Sequence, residues 1–263
     1  MNDRKIDCYP LNPFGLVIKP NVDSIWDIDV ESLYDLVLNN KLLIIKSLGY
    51  LDRESLVKYC ERWGQVIEWN FGKVFDLYVD KNPTNYLVTN SRVTFHWDGA
   101  FIDSPPNFDL FQCIKSPKDL SGGETLFANT NLLWNDLTRE EREKWKQIEI
   151  TYTTSSISAH YGGTIIEPLV SKHPLTGESR LRFGEPLDDD VQHLTSLNMK
   201  VHGIDEPELF INKLTRMLYQ ECYCYSHEWE DRDIVIFDNN TLLHARNKFS
   251  QNSPRHIQRV HII

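Results

Sequence analysis

Basic residues are in the minority in this chain. Lys and Arg number 28 against 38 Asp and Glu, which gives a net charge of -10 with His neutral, and the basic residues form no cluster. Binding to nucleic-acid phosphates requires clustered Lys and Arg side chains. The composition therefore predicts a protein without a nucleic-acid partner.

Cysteine and long apolar runs are also scarce. The five cysteines are an odd number and do not have the spacing of a disulfide framework or a metal motif, so we expect reduced thiols with structural roles. No apolar run reaches the length of about 20 residues that spans a bilayer, and the polar residues 1–5 lead into no signal-peptide core. We expect a cytoplasmic enzyme without a membrane segment.

A Gly-rich phosphate loop and a regular alternation of strands with helices are both lacking, which argues against a doubly wound α/β fold. The 263 residues, 41% of them hydrophobic and 11% aromatic, suffice for one domain over 1–263. Short strand patterns separated by long excursions predict a mainly β fold with flanking helices (α+β). Its core is expected to be a double-stranded β-helix, or jelly roll, that encloses a ligand cavity.

Local patterns predict the helices and strands. Helices are expected after the capping residues Asp29 and Asp52, and after two capping boxes, Thr138 with Glu141 over 138–147 and Asp205 with Glu208 in a helix that ends near 221. β-Branched and apolar runs predict strands at 42–45, 108–114, 125–128, 149–158, 234–237 and 257–263. Four histidines in polar contexts are expected to be exposed: His173, His193, His202 and His227.

The triplet His96-Trp97-Asp98 is the most informative local pattern. Nine His and 38 acidic residues in 263 positions give roughly one His-x-acid triplet by chance, so the triplet alone is a weak signal. It follows an apparent strand end at 93–95, and side chains two apart in an extended segment project to the same face. His96 and Asp98 can therefore reach one metal ion while Trp97 points away.

Residues far downstream supply what the triplet lacks. His244 provides a second imidazole, and two imidazoles with one carboxylate form the facial set that binds Fe(II) and leaves three positions open. Arg255 follows eleven residues later, and a guanidinium matches one carboxylate of a dicarboxylate such as 2-oxoglutarate. Arg259 shares a strand face with Arg255. The pattern predicts an iron oxygenase that uses 2-oxoglutarate and O2.

The chain resembles the taurine dioxygenase (TauD/TfdA) family of Fe(II)/2-oxoglutarate oxygenases over nearly its whole length. The matching segments are 62–64, 95–98, 122–125, 229–239, His244, Arg255 and Arg259.

The resemblance implies roles for these residues. His96, Asp98 and His244 would bind iron, Arg255 and Thr125 would hold the distal carboxylate of 2-oxoglutarate, and Arg259 would meet the anionic end of the substrate or reinforce the 2-oxoglutarate site. Because the family's halogenating members lack the carboxylate, the presence of Asp98 implies an enzyme that does not halogenate.

A narrower resemblance concerns the substrate. Segments 95–99, 111–113, 122–130, 160–163, 168–170 and 181–183 are similar to the branch of this family that processes amino-acid isonitriles, the PvcB type. The implied substrate is a tyrosine or tryptophan isonitrile that keeps its carboxylate. The implied product is a vinyl isonitrile formed by oxidative decarboxylation, or else a hydroxylated compound. His160 and Tyr161, beside two glycines, are candidates for a substrate-facing lid.

Other interpretations remain open at this point. The same residues would serve a hydroxylase of a sulfonate or another small acid. A non-catalytic β-barrel that binds a metal or an anion would explain the ligands but would produce no succinate. A zinc hydrolase could use the same ligands, but Arg255 and Thr125 would then have no role. A small-molecule substrate is expected throughout, and the sequence leaves a homo-oligomer open.

Overall fold

The structure is a computed structural model that describes residues 5–46, 48–117, 122–158 and 161–263, without the side chains of 155–158 and 161. The strands are β1 (Ile6–Pro10), β2 (Leu16–Pro20), β3 (Leu42–Ile45), β4 (Phe75–Leu77), β5 (Val93–His96), β6 (Phe108–Lys115), β7 (Thr125–Asn129), β8 (Glu149–Ser158), β9 (Tyr161–Pro168), β10 (Val170–Lys172), β11 (Ser179–Leu181), β12 (Leu197–His202), β13 (Cys224–His227), β14 (Ile234–Asp238), β15 (Leu242–Arg246) and β16 (His256–Ile262). The helices are α1 (Val30–Asn40), α2 (Arg53–Cys60), α3 (Thr130–Asp136), α4 (Arg139–Trp145) and α5 (Pro207–Leu218).

Two facing sheets form the centre of the molecule. Over the residues described, the larger, here the major sheet, has the order β1-β2-β3-β14-β6-β16-β4, and the smaller, the minor sheet, has the order β13-β7-β15-β5. Neighbouring strands are antiparallel except for the parallel pair β2 and β3. The rings of Phe127 from the minor sheet and Phe237 from the major sheet meet at 5.0 Å between centroids. This arrangement agrees with the expected jelly roll.

Strand β3 of the major sheet is apolar on both faces. In β3, Leu42 and Ile44 pack toward the minor sheet, whereas Leu43 and Ile45 pack against the helical side. Successive side chains of a strand point to opposite faces. A continuous apolar run such as residues 42–45 is therefore what a strand buried on both faces requires.

Helices α1 and α2 cover the outer face of the major sheet. Their N-caps are Asp29 and Asp52, whose carboxylates accept hydrogen bonds from the backbone N–H groups of Ser32 and Ser55, each at 2.8 Å. Both helices were expected from these capping residues. No helix in the described part of the chain is long and apolar enough to cross a membrane.

The outer face of the minor sheet packs against a second apolar cluster. This cluster includes side chains from α3 and α5 and from a further sheet of order β12-β8-β9. The minor sheet is thereby buried on both sides, and its inward-facing side chains are enclosed between the two sheets.

The prediction of a capping box is correct for α4 and wrong for α5. Thr138 and Glu141 form the box that begins α4, but α5 begins at Pro207 with Glu206 as its N-cap and without a side-chain cap hydrogen bond. Proline is favoured at the first helical position because it has no N–H to satisfy there. Pro207 therefore sets the start of α5, and Asp205 falls outside the helix.

The expected exposure is wrong for two of the four histidines in polar contexts. His173 is buried, with Nε2 2.9 Å from Asp238 Oδ2, and His227 is buried with Nε2 3.2 Å from Asp233 Oδ2. The partner of His173, Asp238 in β14, is 65 positions away, so no local sequence pattern could reveal it. The partner of His227, Asp233, lies only six positions later, but the intervening residues are mostly charged and give no sign that His227 is buried.

Candidate active site

His96 and His244 lie opposite each other on adjacent strands of the minor sheet. They are direct register partners in the antiparallel pair of β5 and β15, and their ring centroids are 4.2 Å apart. Both face the space between the sheets, whereas Trp97 packs outward with its ring 5.7 Å from that of Tyr152. Strand pairing thus brings together two residues that are 148 positions apart in sequence.

Asp98 completes the cluster. Its Oδ1 is 3.8 Å from His96 Nε2 and its Oδ2 is 3.6 Å from His244 Nε2. One ligand atom from each of the three residues lies within 4.8 Å of the others. The backbone of Asp98 is fixed by Asn239, whose side chain accepts from the Asp98 N–H at 2.9 Å and donates to its carbonyl at 3.1 Å.

The protonation states of this cluster suit a divalent metal. Desolvation lowers the pKa of His96, and desolvation with the neighbouring His96 lowers the pKa of His244 well below its ordinary value, so both imidazoles are neutral. Desolvation alone would raise the pKa of Asp98, but Arg259 and His261 hold it well below its ordinary value. Neutral imidazoles and an ionised carboxylate are the forms that bind metal.

An unused lone pair on His96 adds to this fit. Nδ1 of His96 donates to the carbonyl of Thr94 at 2.8 Å, which leaves Nε2 unprotonated in the neutral ring. That Nε2 atom is buried and has no hydrogen-bond partner within the described residues. A hydrogen bond from the other nitrogen is the usual way in which a metal-ligating histidine is oriented. The residues present fit a bound Fe(II).

A small cavity of about 30 Å³ lies beside the two histidines and is lined by Thr125 and Arg255. Arg255 donates from Nε to the Gly123 carbonyl at 3.0 Å, and its buried Nη1 has no partner in the described part of the chain. Burial lowers the pKa of Arg255 to about 10, so it stays charged at neutral pH. Thr125 Oγ1 accepts from Trp229 Nε1 at 2.9 Å, which leaves its hydroxyl hydrogen to donate. These groups can bind a carboxylate.

Arg259 lies closer to the metal ligands than the sequence suggested. Its Nη1 is 2.9 and 2.8 Å from the two carboxylate oxygens of Asp98, and its guanidinium stacks 5.3 Å from the Phe75 ring centroid. It lines both the small cavity and a larger one. A role in substrate binding stays a prediction.

The larger cavity, here the main cavity, has a volume of about 490 Å³ and opens on His96 and Asp98. Its walls are mostly aromatic and aliphatic, and include Trp69, Phe71, Tyr86, Phe101, Tyr152 and Leu197. Sequence reasoning missed these residues, because they come from separate loops and strands with no shared motif.

Sequence reasoning also missed His261 and Asp109, which are register partners on β16 and β6. Nε2 of His261 is 3.0 Å from Asp98 Oδ2 and 3.6 Å from Asp109 Oδ1. Burial and the neighbouring Asp98 raise the pKa of Asp109 well above its ordinary value. Two-residue periodicity from Arg255 through Arg259 could have placed His261 on the inner face.

Two predicted substrate residues cannot be placed. His160 and the side chain of Tyr161 lie outside the described residues, although the backbone of Tyr161 begins β9. Their role in a lid therefore stays a prediction.

The fold and the cluster together define a class of protein. A jelly roll that holds two histidines and one aspartate between its sheets, beside an arginine-lined cavity, has the layout of a non-haem iron oxygenase that uses a 2-oxo acid. The chain belongs to the taurine catabolism dioxygenase TauD, TfdA family, whose model matches residues 9–261.

Individual relatives are similar over nearly the whole chain. The 3-((Z)-2-isocyanoethenyl)-1H-indole synthase of Fischerella ambigua is 46% identical over 96% of this chain and 94% of that protein. The tyrosine isonitrile desaturase of Erwinia amylovora is 34% identical over 95% of this chain and 87% of its own length.

A solved structure agrees with these relatives. PvcB of Pseudomonas aeruginosa superposes with a TM-score of 0.83 at 30% identity, covering 100% of this chain and 93% of PvcB. A second PvcB structure, with a TM-score of 0.82, is described as an Fe, alpha-ketoglutarate dependent oxygenase from an isonitrile synthetic pathway. The predicted family, jelly-roll fold and enzyme class, an Fe(II)/2-oxoglutarate-dependent dioxygenase, are confirmed. This argues against a non-catalytic barrel.

Proposed function

We propose that this enzyme converts an aromatic amino-acid-derived isonitrile, which carries a free carboxylate, into the corresponding vinyl isonitrile. The observation that carries the proposal is the main cavity of about 490 Å³, which has aromatic walls and opens on His96 and Asp98. An aromatic ring buries its apolar surface favourably in such a cavity. The relatives with 46% and 34% identity are named for products or substrates of this class.

An indole substrate is the first candidate and a phenol the second. The more similar of the two relatives is named as an indole synthase and the less similar as a tyrosine isonitrile desaturase. Both rings suit apolar walls, so the difference in identity is what supports indole.

His96, Asp98 and His244 would hold Fe(II), which together with 2-oxoglutarate and O2 supplies the oxidising power. Arg255 and Thr125 would bind the distal carboxylate of 2-oxoglutarate in the small cavity that they line. Since Arg255 is buried, its pairing with a carboxylate is little screened by water. These residues would fix the co-substrate in one orientation beside the histidines.

The overall reaction balances as a two-electron oxidation. The substrate loses one hydrogen from the carbon next to the ring and loses its carboxylate as CO2, and a carbon–carbon double bond forms. 2-Oxoglutarate and O2 become succinate, a second CO2 and one water, whose two hydrogens are the one taken from the substrate and one proton from solvent. The apolar walls of the main cavity would keep bulk water from the reacting carbon.

Three further features of the enzyme are part of this proposal. It would act in the cytoplasm, as one domain over 1–263, on a small molecule and not on a nucleic acid. The net charge of -10 supports the last point.

The decisive experiment has two stages. Under anaerobic conditions, Fe(II) with 2-oxoglutarate should give a visible charge-transfer band in the wild type and none in His96→Ala. Air and either the indole or the phenol isonitrile carboxylate are then added, and product is followed by mass spectrometry together with succinate. We expect a vinyl isonitrile in near-equal amount to succinate, with the indole converted faster. Succinate without product from either compound would contradict the proposed substrate class.

A further inference from the structure

Asp98 is the one member of the proposed metal set that lies beyond the end of a strand. β5 ends at His96, so strand pairing does not fix the Asp98 side chain. Its carboxylate is instead held from the major sheet, by Arg259 and His261. We propose that His261 is a positioning residue that orients the Asp98 carboxylate for the metal, an inference that rests on the metal site of the proposed function.

The position of His261 follows from strand periodicity. On β16, Val260 and Ile262 pack toward the helical side of the major sheet, so Arg259 and His261 project into the space between the sheets. The His261 side chain is 4% exposed. It therefore reaches Asp98 from the sheet opposite the one that carries His96 and His244.

The hydrogen bond has one possible direction. The ionised Asp98 carboxylate can only accept, so Nε2 of His261 donates to Oδ2 across 3.0 Å. Arg259 reaches both oxygens from a single Nη1 atom and does not distinguish between them. His261 donates to Oδ2 alone, and this asymmetry sets the rotation of the carboxylate.

The ring of His261 is itself held in place. The Trp69 ring meets it nearly perpendicular, at 75° and 5.2 Å between centroids, and Asp109 Oδ1 lies 3.6 Å from its Nε2. Trp69 and His261 both line the main cavity. The donor is thus packed between a cavity wall and a buried carboxyl that is too distant to hydrogen-bond it, and this packing limits how far the ring can turn. Loss of a residue that hydrogen-bonds a metal ligand usually weakens metal binding about 10- to 100-fold.

The test measures Fe(II) affinity alone, by anaerobic calorimetry on the full chain without 2-oxoglutarate or substrate. His261→Gln places an amide N–H near the position of Nε2. The shorter side chain of His261→Asn leaves its amide N–H too far from Asp98, and His261→Leu has no N–H donor. The matched control is His202→Leu, since His202 is a partly buried histidine that hydrogen-bonds a side chain, Thr151 Oγ1 at 3.0 Å, within the separate sheet β12-β8-β9.

We expect affinity close to wild type for His261→Gln and His202→Leu, and about 10- to 100-fold weaker binding for His261→Asn and His261→Leu. Should His261→Leu fail to fold, the comparison of Gln with Asn decides. Wild-type affinity in His261→Asn, or equal losses in Gln and Asn, would overturn the proposal. Because no substrate is present, the result is independent of the isonitrile assignment, whereas a wild type that binds no Fe(II) would refute the metal site as well.

Discussion

Arg255 illustrates how one buried charge can decide co-substrate binding. Its Nη1 is buried without a partner among the described residues, and Arg255 lines the same small cavity as Thr125. We predict that Arg255→Gln weakens 2-oxoglutarate binding by about 1.5–3 kcal/mol, because one charge-assisted hydrogen-bonded pair is lost. This corresponds to roughly a 10- to 150-fold higher dissociation constant. Titration of the anaerobic charge-transfer band measures it.

A suitable control for this prediction is Arg142→Gln. Arg142 lies in α4, donates to the backbone carbonyl of Trp134 at 3.0 Å and stacks over that ring at 5.7 Å. Its loss removes comparable contacts far from the small cavity and should leave 2-oxoglutarate affinity unchanged. Normal affinity in Arg255→Gln would show that another group binds the distal carboxylate.

At the residue scale, two-residue spacing predicted which side chains could reach a common site. His96 and Asp98 both line the main cavity, and Arg255 and Arg259 both line the small cavity, although Asp98 lies just after β5 and Arg255 just before β16. His261 escaped notice because its function depends on Asp98, 163 positions away. The aromatic walls of the main cavity escaped for the same physical reason, since their proximity arises only from the packing of separate loops.

At the scale of elements, mutation of the two predicted capping boxes should have different effects on the free energy of unfolding. In α4, Thr138 Oγ1 accepts from the backbone N–H of Glu141, and Glu141 reaches back to the Thr138 N–H. Thr138→Ala should therefore lower the free energy of unfolding by about 1 kcal/mol. Asp205→Ala should change it by less than about 0.5 kcal/mol, because Asp205 lies outside α5. Urea unfolding of both variants measures the difference.

The comparison of these two variants tests the helix starts directly. If Asp205→Ala proved as destabilising as Thr138→Ala, Asp205 would cap α5 in solution and the helix would begin earlier than at Pro207. Equal and negligible effects would instead mean that the capping box of α4 contributes little to global stability.

Elements were predicted from sequence to the extent that their patterns are local. The apolar run Leu42–Ile45 and the β-branched run Glu149–Ser158 are strands with the expected bounds. The neighbours of each strand could not be predicted, since β5 pairs with β15 and β6 with both β14 and β16 across more than 120 positions. These pairings are set by closure of the two sheets around a common core.

At the scale of the whole molecule, the site joins the two sheets. His96 and His244 come from the minor sheet, whereas Arg259 and His261 come from the major sheet and reach Asp98 between them. Buried charges that approach from both sides have a desolvation cost, and a bound cation and an anionic co-substrate would offset it. The stability of the whole fold should therefore respond to occupancy of the site.

Thermal unfolding makes this coupling measurable. A ligand that binds only the folded state stabilises it by about 2.7 kcal/mol at a hundredfold excess over its dissociation constant. For a chain of this size, that corresponds to a rise in Tm of roughly 5–10 °C. We predict such a rise on addition of Mn(II) with 2-oxoglutarate, and no rise in His96→Ala, which keeps the fold but loses a ligand. An equal rise in the variant would place the binding of both additives outside the cluster of His96, Asp98 and His244.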